Sequence, residues 1–490
     1  MSTVGNSIES VVQAIRTGPG GPRIAAFFDF DGTIVDGVAA LRFGRPGRSG
    51  DDATVLLPGL AGWKNDIHRE LIGRLVSEIW RGRPVADLEA AEDRLCHHHL
   101  ARNLRHEAWG LIREHLRAGH TVVLATAATR FQTRLMAREL GIEHVLCTEP
   151  VVSGGVLTGE VEGEIVWGRH KAELVAEFAI AHDLDLENSF GYSNGGADRP
   201  LLELVGHPIA VNPDRELAAA ATAGGWTTLR FERRGRNLYH LGRTLLGLLA
   251  VIGAAGAAMV CSPGRDRRAL RRRILRWVPA AALRCAGLRI RVTGAETVRT
   301  TRPAVFLFNH QSKIDTLIVP YVVGDSFTPV ATRKAQKYPI FGPLLKVVGS
   351  LFIDRSTPGG AQQALNSLVG ELRAGNSVAI APEGRVSSTP RLQTFKKGAF
   401  HLAAQAGVPI VPIVIHNAGR ALWRNSLVVR PGTIDVTVLD PIDTASWTPA
   451  TLDDEVAAVH RRYLDTLDRR PGIELPDAPG GARGSLAPLP

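Results

Sequence analysis

At 490 residues the chain exceeds one ordinary hydrophobic core, so two or three domains are expected. Its 44% apolar and 22% charged content excludes a disordered chain. Four scattered cysteines (Cys96, Cys147, Cys261, Cys285) with no C-x-x-C pair exclude a disulfide frame or zinc knuckle and fit a reducing cytoplasm.

No charged segment followed by an apolar run opens the chain, so no secretory signal is expected. Residues 1–22 are small, polar and Gly/Pro-ended, and read as a flexible leader. An apolar strand then ends in Asp29-Phe-Asp31-Gly-Thr33, two carboxylates on one side of an extended segment before a turn. Held together, two such carboxylates are costly unless a cation sits between them; the alternative is an ordinary Asp-Gly turn. Leu71 to Trp80 has helical period. Cys96-His-His-His99 reads as a charged helical face rather than a metal site. A second buried strand, Thr121 to Thr126, ends in a hydroxyl; Gly168-Arg-His-Lys171 sets a lysine at a helix start; Phe190-Gly-Tyr-Ser-Asn194-Gly-Gly-Ala-Asp198 is a third polar strand end.

In this order the blocks resemble the haloacid dehalogenase superfamily, in its phosphoserine-phosphatase-like branch, over about residues 23–230, within a domain read as 23–235 with a helical cap at about 37–117. The resemblance implies a Rossmann-like α/β domain. It makes Asp29 the nucleophile that takes a phosphoryl group and Asp31 the acid that protonates the leaving oxygen and later activates water. It also implies that Thr126 and Lys171 hold the phosphate, and that Mg2+ sits among Asp29, Asp31, Asn194 and Asp198. Asn194 departs from the family, which has aspartate there; an amide oxygen can ligate but brings no charge. Phosphatase activity is therefore left open against a regulatory or binding module.

From Asn237 the composition changes. Thr244 to Ser262 carries no charge over nineteen residues, near the lower limit for a spanning helix, and Gly253 and Gly256 suit close helix packing. The net charge of +10 is unevenly placed, with a dense block beside this run: Arg265, Arg267, Arg268, Arg271, Arg272, Arg273 and Arg276. Arginines at both ends of the apolar run argue against a simple span. A helix or hairpin entering one leaflet, a true span and a buried helix stay open, with 236–278 read as a membrane-contacting linker. The block suits anionic lipid headgroups. Nucleic acid is not expected, since no aromatics interleave the arginines.

Next, an apolar run, Val305 to Phe308, leads into Asn309-His310-Gln-Ser312-Lys-Ile-Asp315. Five residues on a regular helix leave two side chains about 140° apart. His310 and Asp315 can therefore meet only if the histidine sits on a strand-to-helix turn and the aspartate on the helix that follows. Such a carboxylate would hold one ring nitrogen while the other faces a substrate hydroxyl. Gly349 to Arg355, Pro382-Glu383-Gly384 and Val408 to Ile413 follow in order.

Together these blocks resemble the glycerolipid acyltransferases, specifically 1-acylglycerol-3-phosphate acyltransferase, over about residues 279–445. The resemblance implies an α/β acyltransferase domain (279–468) that takes an acyl group from acyl-CoA or acyl carrier protein and gives it to a lysophospholipid acceptor. The protein is expected at the cytoplasmic face of the cell membrane, on an anionic phospholipid surface. His310 with Asp315 would be the base, and Asn309, Ser312, Asp354, Arg355, Glu383, Gly384 and Arg385 would line the substrate site. The family's Glu-Gly-Thr-Arg-Ser reads Glu383-Gly384-Arg385-Val386-Ser387 here. Either Arg385 still meets the phosphate or the acceptor subsite has changed. Lys396 and Lys397 match a basic stretch of the family, and Val408 to Ile413, with two prolines, reads as an edge or bulged strand. Residues 450–468 form an amphipathic helix, read as a lid, and 469–490 a disordered tail.

Overall fold

The computed structural model describes residues 7–37, 67–231, 238–262, 266–353, 360–387, 389, 391–423 and 426–468. It divides into two compact units, residues 1–234 and 235–470, each with its own sheet.

In the front unit, Ala25–Phe28 (β1), Thr121–Thr129 (β2), His144–Thr148 (β3), Phe190–Ser193 (β6), His207–Val211 (β7) and Thr227–Leu229 (β8) form one sheet in the order β3-β2-β1-β6-β7-β8. Pro150–Ser153 (β4) and Val156–Val161 (β5) form a separate antiparallel ribbon. Every pairing in the larger sheet is parallel, and β1 lies between β2 and β6. The carboxyl ends of central parallel strands are where such sheets bind ligands, and the paired aspartates stand there.

Three expectations change. The leader contains a helix, Ile8–Thr17: Ser7 caps it, and Ile8, Val11, Val12 and Ile15 are buried at helical spacing. Arg16 pairs with Glu114 at 2.8 Å. The cap also stops earlier than residue 117. Helix His106–Arg117 packs on the helix Ile8–Thr17 and on β2, so it belongs to the sheet's flank. The chain crosses between sheet and cap where Arg105 N–H donates to the Ile34 carbonyl and Asp36 N–H to that of Asn103. In the cap turn Leu95–Leu100, Cys96 is buried rather than on an exposed face.

Behind the sheet runs a buried chain of polar rings. His115 Nε2 is 2.8 Å from the Tyr192 hydroxyl, His115 Nδ1 is 2.9 Å from His120 Nδ1, and His120 Nε2 is 3.1 Å from the Pro19 carbonyl. Only a donor can face that carbonyl, which fixes the remaining protons: Tyr192 donates to His115, and His115 donates to His120. Every member is satisfied with both imidazoles neutral. Burial first, then the neighbouring His120 and His207, holds the His115 pKa well below the ordinary value.

The back unit holds Leu288–Thr293 (β9), Val305–Phe308 (β10), Phe327–Thr332 (β11), Leu351–Ile353 (β12), Ser377–Ile380 (β13), Ile410–Ile415 (β14) and Gly432–Val438 (β15). Their order is β12-β11-β13-β10-β14-β15-β9, with β10 parallel to both β13 and β14. β14 is a buried inner strand, not an edge. The Pro412 carbonyl accepts from Leu439 N–H on the β15 side, so its imide nitrogen faces that side as well. Pro412 lies one residue beyond the paired run Ile413–Ile415, where the missing N–H costs no ladder bond to β10.

The described residues of 236–278 are not a linker. The helices Leu238–Val260 and Arg267–Cys285 pack together, and Val251, Ala255, Ala258, Ile274, Leu275 and Val278 join the back unit's core with Phe306 and Ile318. The close approach is at Gly247, where a Cβ would stand 3.0 Å from Ala286 Cβ and 3.3 Å from the Ala282 carbonyl oxygen; Gly253 and Gly256 have nothing within 4 Å. Helix Leu452–Asp468 is a fixed layer rather than a lid, with Leu452, Val459 and Tyr463 buried and the Tyr463 hydroxyl donating to the Leu307 carbonyl at 2.5 Å. Residues 469–490, expected to be disordered, lie outside the described residues.

Candidate functional sites

In the front unit, Asp29 and Asp31 follow β1 and are both buried. Lys171, in the first turn of helix Gly168–Ala181, lies 2.9 Å from Asp29 Oδ1 and 2.8 Å from Asp198 Oδ1. Burial opposes its charge, but the two carboxylates outweigh burial and push its pKa above the usual lysine value. Burial, aided by the Asp198 charge and opposed by Lys171, pushes Asp29 up to about 6. Thr126 lies on β2 beside β1, its hydroxyl accepting from Ala128 N–H at 3.1 Å; the strand runs past it to Thr129.

The Asn194 carboxamide closes the site. Its inward atom lies 3.3 Å from Asp29 Oδ2, 3.3 Å from Thr33 Oγ1 and 2.9 Å from the Asp31 main-chain oxygen. With nitrogen inward, it donates into this cluster. With oxygen inward, it accepts from Thr33 and faces two further oxygens, an arrangement that a hard divalent cation would satisfy. Gly32, at φ +86°, permits the contact, since a Cβ would stand 2.3 Å from the Asn194 amide nitrogen. The oxygens of Asp29, Asp31 and Asn194 therefore fit magnesium, at reduced charge. Asp198, expected among the ligands, is turned to Lys171 and to the Ser193 hydroxyl, which donates to it at 2.6 Å.

In the back unit, β10 delivers His310 into a turn, and Asp315 is the first residue of helix Asp315–Val323. His310 Nδ1 donates to Asp315 Oδ2 at 2.9 Å. Asp315 is fully buried and also accepts from Ser312 N–H at 2.8 Å. The imidazole is 18% exposed, so Nε2 is left as the acceptor open to a substrate proton.

Three residues expected to line the substrate site serve the main chain instead. Asn309 exchanges two hydrogen bonds with Ile415, tying β10 to β14. The Ser312 hydroxyl donates to the Leu422 carbonyl and accepts from Ile314 N–H. Glu383 is buried, accepting from His310 N–H at 2.6 Å and Gln393 N–H at 3.0 Å. Burial pushes it up to about 7. Gly384 turns the chain at φ +74° and Arg385 is exposed at the tip beyond it. Asp354 and Arg355 lie outside the described residues. Lys397 pairs with Asp453 at 2.5 Å. Ser387 was missed as a site residue; its N–H donates to the His310 carbonyl at 2.7 Å, a main-chain role that leaves no trace in residue type.

Of the arginine block, Arg271 donates to the Phe327 carbonyl and Arg273 to the Ser262 hydroxyl, both inside the unit. Arg267, Arg268, Arg272 and Arg276 are exposed, and Arg265 lies outside the described residues.

Residues 26–203 match the haloacid dehalogenase-like hydrolase family and residues 289–416 the acyltransferase family. The front half is 33% identical to the "Inhibition of morphological differentiation protein" of Streptomyces azureus, over 48% of this chain and 91% of that one. It is 31% identical to phosphoserine phosphatase SerB1 of Mycobacterium tuberculosis, over 49% of this chain and 80% of that one. The back half is 35% identical to 1-acyl-sn-glycerol-3-phosphate acyltransferase of Limnanthes douglasii, over 37% of this chain. The chain spans 64% of the length of that plant protein. The front half thus belongs to the haloacid dehalogenase-like hydrolases, and it is joined in one chain to a stretch, residues 289–416, that matches the acyltransferase family.

Proposed function

We propose that the back unit transfers an acyl group from acyl-CoA, or from acyl carrier protein, to 1-acylglycerol-3-phosphate. The observation that carries this is the His310–Asp315 pair, with Nδ1 held and Nε2 open. Nε2 takes the proton of the acceptor hydroxyl as its oxygen attacks the thioester carbonyl carbon. The tetrahedral adduct then collapses, the carbon–sulfur bond breaks, and the leaving thiolate recovers the proton from His310. No acyl-enzyme is needed. Arg385, exposed on the loop whose Glu383 and Ser387 bond the main chain of His310, suits an acceptor phosphate. Thiol release from acyl-CoA with 1-acylglycerol-3-phosphate as acceptor tests this, with His310→Ala as control; another lysolipid is the alternative acceptor.

The site is reached from a membrane surface at its cytoplasmic face. Helix Leu238–Val260 is long and apolar enough to cross a bilayer. One face packs on its partner helix, while Leu245, Leu246, Leu249, Ile252 and Met259 are more than half exposed. A helix that keeps one face on the protein and offers the other to lipid, with arginines near it, lies in one leaflet more readily than it spans.

The front unit fits a phosphomonoesterase, with Asp29 attacking phosphorus and Asp31 giving a proton to the leaving oxygen. Magnesium held by Asp29, Asp31 and Asn194 would offset the charge gathered there. A second reading, a binding or regulatory module, is favoured by the Asn194 amide, which can satisfy the aspartates without a cation.

A further inference from the structure

We infer that Glu383 is a positioning residue for His310, gripping the main chain of the base rather than binding the acceptor. This rests on the reading of His310 as the base of acyl transfer.

Both main-chain groups of His310 are held by one loop. Its N–H donates to Glu383 Oε1 at 2.6 Å, and its carbonyl accepts from Ser387 N–H at 2.7 Å. With Nδ1 on Asp315, His310 is held at three points, two on its main chain and one on its ring, which together orient Nε2. The other Glu383 oxygen accepts from Gln393 N–H, closing the loop on itself. The loop is anchored in turn: the Gln393 carbonyl lies 3.2 Å from His460 Nε2, on the helix whose Tyr463 holds Leu307 of β10.

Glu383 is 3% exposed, so no acceptor hydroxyl reaches it. Both of its oxygens face N–H donors, which only the ionised form satisfies together; a proton on either one would aim an O–H at an N–H. Its ionisable neighbours are His310, Asp315 and Tyr463, and the raised pKa of about 7 places this loss of grip near neutrality. The altered pair Arg385-Val386 lies between the two anchors. The chain on either side is pinned, so the substitution is confined to what the loop tip presents.

The test compares the whole protein with Glu383→Gln, which keeps the shape but turns an amide NH2 toward an N–H donor. Acyl transfer from acyl-CoA to 1-acylglycerol-3-phosphate should lose about 30- to 100-fold in kcat, with both KM values within about twofold of wild type. The acid limb of the kcat–pH profile should involve one proton fewer. Glu383→Gln should add nothing to His310→Ala. An unchanged kcat, or a raised acceptor KM with kcat kept, overturns the inference and returns Glu383 to the substrate. Should Glu383→Gln fail to fold, Glu383→Asp replaces it, with an intermediate kcat loss expected and wild-type kcat contradicting. A readout independent of turnover separates this inference from the functional reading: 15N-histidine labelling, with the His310 amide assigned by His310→Ala. That amide proton, on a short bond to a carboxylate, should stand downfield and move upfield in Glu383→Gln. If it does not move, Glu383 does not hold His310. A moving resonance in a protein that transfers no acyl group would sink the acyltransferase reading and leave the grip standing.

Discussion

Asn194→Asp replaces an uncharged carboxamide with a third carboxylate of nearly the same size. Its inward oxygen would stand 3.3 Å from Asp29 Oδ2 and 2.9 Å from the Asp31 main-chain oxygen, where an amide nitrogen donates and a carboxylate can only repel. Two unit charges at 3.3 Å interact by about 5 kcal/mol at an effective dielectric constant of about 20. Side-chain rotation, proton uptake and Lys171, already 2.9 Å from Asp29, reduce the net cost to about 2 kcal/mol. In a unit of this size that lowers the melting temperature by about 4–8 °C. Calorimetry of the whole chain in EDTA should show this loss in the front unit's transition. Magnesium should reverse it, because a divalent ion among three carboxylates is bound more firmly than beside two and an amide. Hydrolysis of a generic aryl phosphate should then rise at lower magnesium than in wild type, and Asp29→Asn in the same background should remove the gain. Equal melting temperatures in EDTA and magnesium for both proteins, with equal rates, would refute the electrostatic account of Asn194.

Two other outcomes are expected. Leu246→Glu with Leu249→Glu, at positions 51% and 63% exposed, should weaken co-sedimentation with anionic vesicles at least about 100-fold, from about 1.5 kcal/mol or more of lost apolar contact per side chain. Undiminished binding would show that this face does not enter lipid. The front unit should lose stability as pH falls below about 6.5, at up to about 1.4 kcal/mol per pH unit for each histidine kept neutral. The sign follows from the depressed folded pKa of His115: the unfolded chain takes the proton first, so the contribution is present above about 6.5 and lost below it. Asp29, whose folded pKa is raised, acts in the opposite sense at lower pH. The histidine share is therefore the difference in urea midpoint between wild type and His115→Phe at pH 7.5 and pH 5.5. Parallel pH profiles would contradict it.

The relation of His310 to Asp315 was legible because five residues allow only one way to meet, across a strand-to-helix turn, and the chain takes it. The buried place of Asp29 and Asp31 after β1 was legible too, since an apolar strand running into two acids brings both to the strand's end. Glu383 and Ser387 were not, because a side chain that bonds main-chain N–H leaves no pattern in its own neighbours. The helix Ile8–Thr17 was readable from Ser7 and four apolar residues at helical spacing, but the Gly/Pro ending at residues 18–22 outweighed it. For the helix Leu238–Val260, glycine content alone cannot say which face meets a partner. Gly247 does, and Gly253 and Gly256 do not.

The central claim is tested most directly by following thiol release and lipid products together. The whole protein would be incubated on anionic vesicles with acyl-CoA and a panel of lysolipids headed by 1-acylglycerol-3-phosphate. The account predicts stoichiometric thiol and diacylglycerol-3-phosphate, and a loss of about 100-fold or more in His310→Ala with the fold intact. Thiol release that persists within about tenfold of wild type in His310→Ala, or no acyl transfer to any acceptor, would contradict it.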